Sequence, residues 1–208
     1  MRDKVRAVLL AALLIGWSAV TPRLPPRWNP LPHIVFGTSM AALTRAPLGL
    51  RPPALWSGLR WGLAAAAPVV VGVGSAVAIA PVRNGMAART LPPSVMRWLL
   101  LHIPIGTVWA EEAGYRAALG TAAAGAFGEP GGRLFTAAVF GLSHVPDARA
   151  TGEPLLGTVL VTGAAGWLFA WLVGRSGSLA AAMLAHLAVN EAGAVAAVAV
   201  QRRRRVTD

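Results

Sequence analysis

Trp109-Ala110-Glu111-Glu112-Ala113-Gly114-Tyr115-Arg116 places two adjacent carboxylates and a guanidinium inside a long, mostly apolar stretch. The chain has only eight acidic residues, and two of them are here. An ionisable group at membrane depth costs several kcal/mol, by the order of magnitude of insertion scales, so such a pair marks a functional site by default. On a helix, residues four apart share a face, which makes Glu112 and Arg116 a scaffold ion pair. Glu111 points about 100° away on the helix wheel and has no local cation. A carboxylate that is desolvated and unpaired is the stronger base, the property a general base needs.

Outward from this stretch the chain reads as membrane throughout. Of its 208 residues 55% are hydrophobic and 13% charged, with a mean hydropathy of +0.57. A soluble domain of this length carries more charge. The net charge of +11 raises nucleic acid as a partner. The basic residues are mostly Arg scattered between apolar runs, without a basic face, which fits loops beside anionic lipid and excludes a nucleic-acid interface. With no cysteine, disulfides, thiol nucleophiles and Cys-based zinc sites are excluded. No Gly-x-Ser-x-Gly elbow occurs.

The pattern predicts an all-α, polytopic transmembrane bundle of about seven helices, six to eight being compatible with it, forming a single integral membrane domain over residues 1–208. The first helix, residues 1–20, is read as retained rather than as a cleaved signal. Residues 21–32, with Pro22, Pro25, Pro26, Pro30 and Pro32, form a loop. A short apolar run covers 31–44 and a basic loop 45–60. A clean span covers 61–82, and a basic loop 83–93. A fourth helix starts near Ser94, carries the central motif and ends near Ala124. Gly128-Glu129-Pro130-Gly131-Gly132 is a turn. A fifth helix covers about 133–145 and is ended by Pro146-Asp147. The sixth covers 154–174. The seventh covers 178–200 and is stopped by the arginines at 202–205. The basic termini leave the orientation open.

Three more polar groups share the motif's depth. Phe140-Gly141-Leu142-Ser143-His144 puts an aromatic ring and an imidazole on one face of the fifth helix. His186-Leu187-Ala188-Val189-Asn190 puts an imidazole and an amide on one face of the seventh. At 1.5 Å per residue, Glu111 lies about 20 Å before its helix end, His144 about 16 Å into the returning helix, and His186 and Asn190 about 12 and 18 Å into the last. Glu111, His144, His186 and Asn190 are expected to converge on one cavity. His102 and His33 are assigned to structure, the first by its opposite face and the second by its loop boundary. Phe140, Trp167 and Trp171 are read as packing, Glu129 and Glu153 as loop acids, and Glu191 is held in reserve.

Together Glu111-Glu112-x-x-x-Arg116, Phe140-x-x-x-His144 and His186-x-x-x-Asn190 resemble, in order and spacing, the CPBP family of intramembrane proteases, which includes the type II CAAX prenyl endopeptidases. The resemblance covers about residues 95–200, the expected catalytic core. It implies an intramembrane endopeptidase in which Glu111 activates water with His144 beside it. His186 and Asn190 then stabilise the oxyanion, while Glu112, Arg116 and Phe140 support the site. Glu111, His144 and His186 are also the ligand set of some catalytic zinc sites. The absence of His-Glu-x-x-His, and of a second acid free to act as base, favours the metal-free route. The expected partners are membrane lipid and a peptide or membrane-anchored protein, and the expected location is a bacterial cell membrane. The alternatives are a non-catalytic protein of the same fold, conferring immunity to a peptide toxin or acting as a scaffold, and a small proton-coupled transporter, which no inverted repeat supports.

Overall fold

The computed structural model describes residues 1–24 and 29–207 and, among them, is helical with no strand. The helices are α1 (Arg2–Val20), α2 (Leu31–Thr44), α3 (Ala54–Ala76), α4 (Ala80–Ala88), α5 (residues 95–119), α6 (Gly120–Leu142), α7 (Val145–Thr151), α8 (Leu155–Ser176) and α9 (Leu179–Thr207). The two short ones, α4 and α7, leave seven longer segments, as the hydropathy pattern predicts. Among the described residues four helices are long and apolar enough to cross a membrane: Arg2–Arg23, Ala54–Ala76, Leu155–Ser176 and Leu179–Arg204. With large apolar side chains such as Leu9, Leu63, Val71, Leu156 and Val161 turned outward, the bundle presents lipid-facing surfaces, and the chain is an integral membrane protein.

Several expected boundaries move. The third span runs over Ala54–Ala76 instead of 61–82, taking Arg60 into its first turns. The expected loop after it contains α4. The expected turn at 128–132 is present within the span of α6: Gly128 (φ 73°, ψ 167°) breaks it into two segments that fold back on each other, so that a Cβ on Gly132 would lie 2.6 Å from Ala124 N. The positive φ of Gly128 suits a residue without a Cβ. Pro146 opens α7 rather than only ending what precedes it, since a missing N–H is harmless in a first helical turn. The C-terminal arginines continue α9, because Arg is a good helix former where the helix leaves lipid. Of the expected loop at 21–32, residues 25–28, including Pro25 and Pro26, lie outside the described residues.

Two packed halves flank the motif helix. On one side Leu10, Leu14, Met40, Tyr115, Leu119 and Phe140 join α1, α2, α5 and α6. On the other Phe169, Leu172, Ala181, Ala182 and Ala185 join α8 to α9, with Trp61 of α3 against them. In lipid, helix association depends on close packing rather than on a hydrophobic drive, so small residues set the contacts. A Cβ on Gly62 would lie 2.8 Å from the Leu184 Cβ, and one on Gly58 would lie 2.6 Å from the Ser178 hydroxyl. These two glycines, four apart on α3, let that helix close on α9. Gly62→Val should therefore cost about 1–3 kcal/mol through overpacking. Thermal unfolding in detergent checks this, with Gly72→Val, where no atom lies within 4 Å of the added Cβ, as the control that leaves stability nearly unchanged.

Candidate active site

The motif lies on α5, whose hydrogen bonds follow the wide i→i+5 pattern over Trp98–Trp109 and again over Glu112–Leu119. Wide turns of this kind recur at functional sites. Pro104, which cannot donate a backbone bond, sits within the first of them. Between the two stretches stand Ala110 and Glu111.

Glu112 is fully buried and bridges two helices. Its Oε2 lies 3.3 Å from Arg116 Nε, the expected pair four residues apart. Its Oε1 lies 2.8 Å from His186 Nδ1 on α9. A carboxylate only accepts, so Nδ1 of His186 carries the hydrogen and donates it. The other ring nitrogen, Nε2, then faces Glu111 Oε2 at 3.8 Å, within ion-pair range but beyond a hydrogen bond. The Glu111 side chain keeps 30% of its surface exposed, against none for Glu112. One residue's offset thus separates an inner structural carboxylate from an outer one open to a cavity.

Aromatic rings complete the inner cluster. The Arg116 guanidinium carbon stands 4.0 Å from the Phe140 ring centroid and 5.1 Å from that of Phe169. Cation–π contact in a desolvated site contributes up to about 2 kcal/mol. Phe169 also stacks on the His186 ring at 4.9 Å. Phe140 meets the His144 ring edge-on at 4.7 Å, and Gly166 leaves room for it, because a Cβ there would lie 2.8 Å from Phe140 Cδ1.

His144 stands beyond the end of α6 as the residue before α7, one turn past Phe140 rather than on a continuous helix. Its Nδ1 lies 2.7 Å from the Phe140 carbonyl oxygen. That oxygen accepts, so Nδ1 holds the proton and Nε2 is the free acceptor.

A cavity of about 260 Å³ is lined by both Glu111 and His144, together with Tyr115, Ser143, Asp147, Thr107 and His33 among others. His186 adjoins it through Glu111 but does not line it. Asn190 does not line it either; its Nδ2 donates to the His186 carbonyl at 3.3 Å, along its own helix. The expected four-residue convergence is thus a Glu111–His144 cavity with His186 behind the carboxylate and the Asn190 amide turned aside. His33, assigned to structure from the sequence, lines the cavity, and its Nε2 is buried without a partner among the described residues. Gly37, four residues on, approaches Ala110 so closely that a Cβ would meet its carbonyl. That contact docks α2 on the motif and brings the His33 face to the cavity. His102 lines no described part of it.

The site residues as placed do not fit a metal. Among the described residues no three His, Asp or Glu side chains come together as a ligand set. Nδ1 of His144 and of His186 is already committed, and Nε2 of His186 faces a carboxylate oxygen rather than a shared point with His144.

Residues 93–192 match the family profile described as Type II CAAX prenyl endopeptidase Rce1-like. No curated protein and no solved structure matches the chain. The match spans every residue of the three motifs, from Glu111 to Asn190, and leaves His33 outside it.

The two carboxylates should differ sharply on removal. Glu112→Ala leaves Arg116 and His186 uncompensated in the interior, a loss of roughly 3–5 kcal/mol for a broken buried pair. Glu111→Ala opens onto a cavity and should cost far less. Melting of the purified variants in detergent measures the difference, and equal losses would contradict the division.

Proposed function

We propose that the chain, whose residues 93–192 match the Type II CAAX prenyl endopeptidase Rce1-like profile, is a member of the CPBP family of intramembrane proteases and an intramembrane endopeptidase that activates water with Glu111 and His144. The observation that carries this reading is the shared cavity. Among the described residues, it joins an outward carboxylate without an Arg or Lys partner to a histidine whose Nε2 is free to accept.

Hydrolysis of an amide needs a base for the water, donors for the developing oxyanion and a proton for the leaving amine. Glu111 accepts a proton as the water oxygen bonds to the carbonyl carbon. His144 Nε2 accepts a hydrogen bond from the same water and aligns it. The proton on Glu111 then passes to the leaving nitrogen as the C–N bond breaks, which restores the carboxylate. His186 is the oxyanion donor. With Nδ1 held by Glu112, it donates from Nε2 as the imidazolium, and Glu112 is its counter-ion. The logic is that of a histidine oriented by a buried carboxylate. Asn190 adds a second donor once its amide rotates from the His186 carbonyl, which substrate binding brings about in this reading. Glu112, Arg116 and Phe140 hold the frame. The substrate is a peptide or membrane-anchored protein, and the setting is a bacterial cell membrane.

Glu111→Gln keeps the shape and removes the base. It should lower cleavage by at least about 100-fold, the usual worth of general-base catalysis, while leaving the melting temperature near that of the wild type. The assay is proteomic identification of membrane peptides released by wild-type but not variant cells, followed by hydrolysis of a peptide so identified. Undiminished cleavage by a folded Glu111→Gln would overturn the assignment. No released peptide at all would favour a non-catalytic immunity or scaffold protein. Elemental analysis of active protein, with activity after chelation and metal restoration, tests the metal-free route. Activity that persists without stoichiometric metal is expected.

His33→Ala should raise KM several-fold with little change in kcat, because the ring lines the cavity without belonging to the proton-transfer pair. A change confined to kcat would place His33 in the chemistry instead.

A further inference from the structure

A second cavity, of about 330 Å³, shares no lining residue with the Glu111 cavity. It is lined by Arg116, Thr121, Glu129, Gly132, Arg133 and Thr136, with Ala170, Val173 and Gly174 of α8 as its apolar wall. Two buried polar side chains open into it without satisfied bonds. The Arg116 side chain is fully buried, and its Nη1 and Nη2 have no hydrogen-bond partner among the described residues. Thr136 is 1% exposed, and its Oγ1 also has none. Native interiors rarely leave such groups unpaired, and each one so left costs about 1–3 kcal/mol.

Arg116 Nε and Glu112 Oε2 face each other as an ion pair, and the three remaining groups, Nη1, Nη2 and the Thr136 hydroxyl, are all able to donate and lack an acceptor among the described residues. Glu112 occupies only the Nε side of Arg116. Arg133 supplies a second guanidinium, stacked over the Trp167 ring at 5.7 Å. Gly132 brings the start of the α6 segment beyond Gly128 to the same wall. Glu129 at the lining is the one acid, and it is exposed. Planar guanidinium donors and a hydroxyl form a donor set suited to a tetrahedral oxyanion.

We propose that this cavity binds a phosphate group, either a phospholipid headgroup or free phosphate, held by Arg116 Nη1 and Nη2, the Thr136 hydroxyl and Arg133. The site is not part of the reaction cavity, but it shares Arg116 with the inner cluster. An anion on the Nη side draws guanidinium charge away from Glu112 and leaves that carboxylate more of its charge for His186. Occupancy is thereby coupled to the site across a single side chain.

The test uses the full chain purified in detergent, with Thr136→Val and Arg133→Gln as variants. Native mass spectrometry reads phospholipid retained from the membrane. Melting temperature is then read with added short-chain phosphatidylglycerol and, separately, with inorganic phosphate. Wild-type protein should retain phospholipid or be stabilised by phosphate, and each variant should weaken that binding roughly tenfold, the worth of one hydrogen bond to a charged group. Retained lipid without a phosphate effect identifies the headgroup as the source, and a phosphate effect without retained lipid identifies the free ion. The sign of the Thr136→Val effect gives an independent check. If nothing binds, removing an unpaired buried hydroxyl raises the melting temperature of the protein as purified. With a ligand on the hydroxyl it lowers it. Equal lipid retention in wild type and variants, no phosphate effect and a stabilised Thr136→Val would overturn the proposal and leave the Arg116 donors to water.

Discussion

The buried charge of the interior depends on the Glu112 carboxylate. It is fully buried and accepts from His186 while pairing with Arg116. Removed from water, a lone carboxylate or guanidinium is prohibitive, and each is tolerable only because the other is present. The third member gives the pair a use beyond charge balance. By holding Nδ1 of His186, Glu112 fixes the tautomer and orientation of the ring and turns Nε2 toward Glu111. A structural ion pair and a chemical site are therefore one assembly on α5 and α9.

The surrounding shell is built to suit that assembly. Aromatic faces cover the guanidinium where lipid-like aliphatic groups would leave it unpaired. Phe140 and Phe169 each touch both a cation and a histidine ring. Room for Phe140 comes from Gly166, and the approach of α2 to the motif comes from Gly37 against Ala110. The same principle joins α3 to α9 at Gly58 and Gly62. Small residues on the helices supply the close contacts, and the polar cluster specifies which helices meet.

Local relations were legible in the sequence. The apolar runs located the long helices, and a spacing of four located the Glu112–Arg116 pair, because both signals lie within one or two helical turns. The different environments of Glu111 and Glu112 followed from the helix wheel alone. Long-range relations were not legible. The Glu112–His186 bond joins residues 74 apart, and no periodicity reports which ring a buried acid will face. His33 was set aside because its segment looked like a loop boundary, whereas the Gly37 contact places α2 on the motif helix. The turn at Gly128 to Gly132 was legible as a local signal, and the chain does reverse there, bringing Gly132 back against Ala123 and Ala124. Asn190 shares the expected face with His186, yet its amide satisfies itself on the preceding turn.

Nitrogen and proton resonances of the histidine rings test the central relation most directly. In protein labelled with ¹⁵N at histidine and held in detergent, His186 should show a proton on Nδ1, shifted far downfield by its short bond to the carboxylate, and Glu112→Gln should abolish that shift while the His144 signals change little. A His186 ring protonated only at Nε2, or one whose resonances are indifferent to Glu112→Gln, would contradict the account.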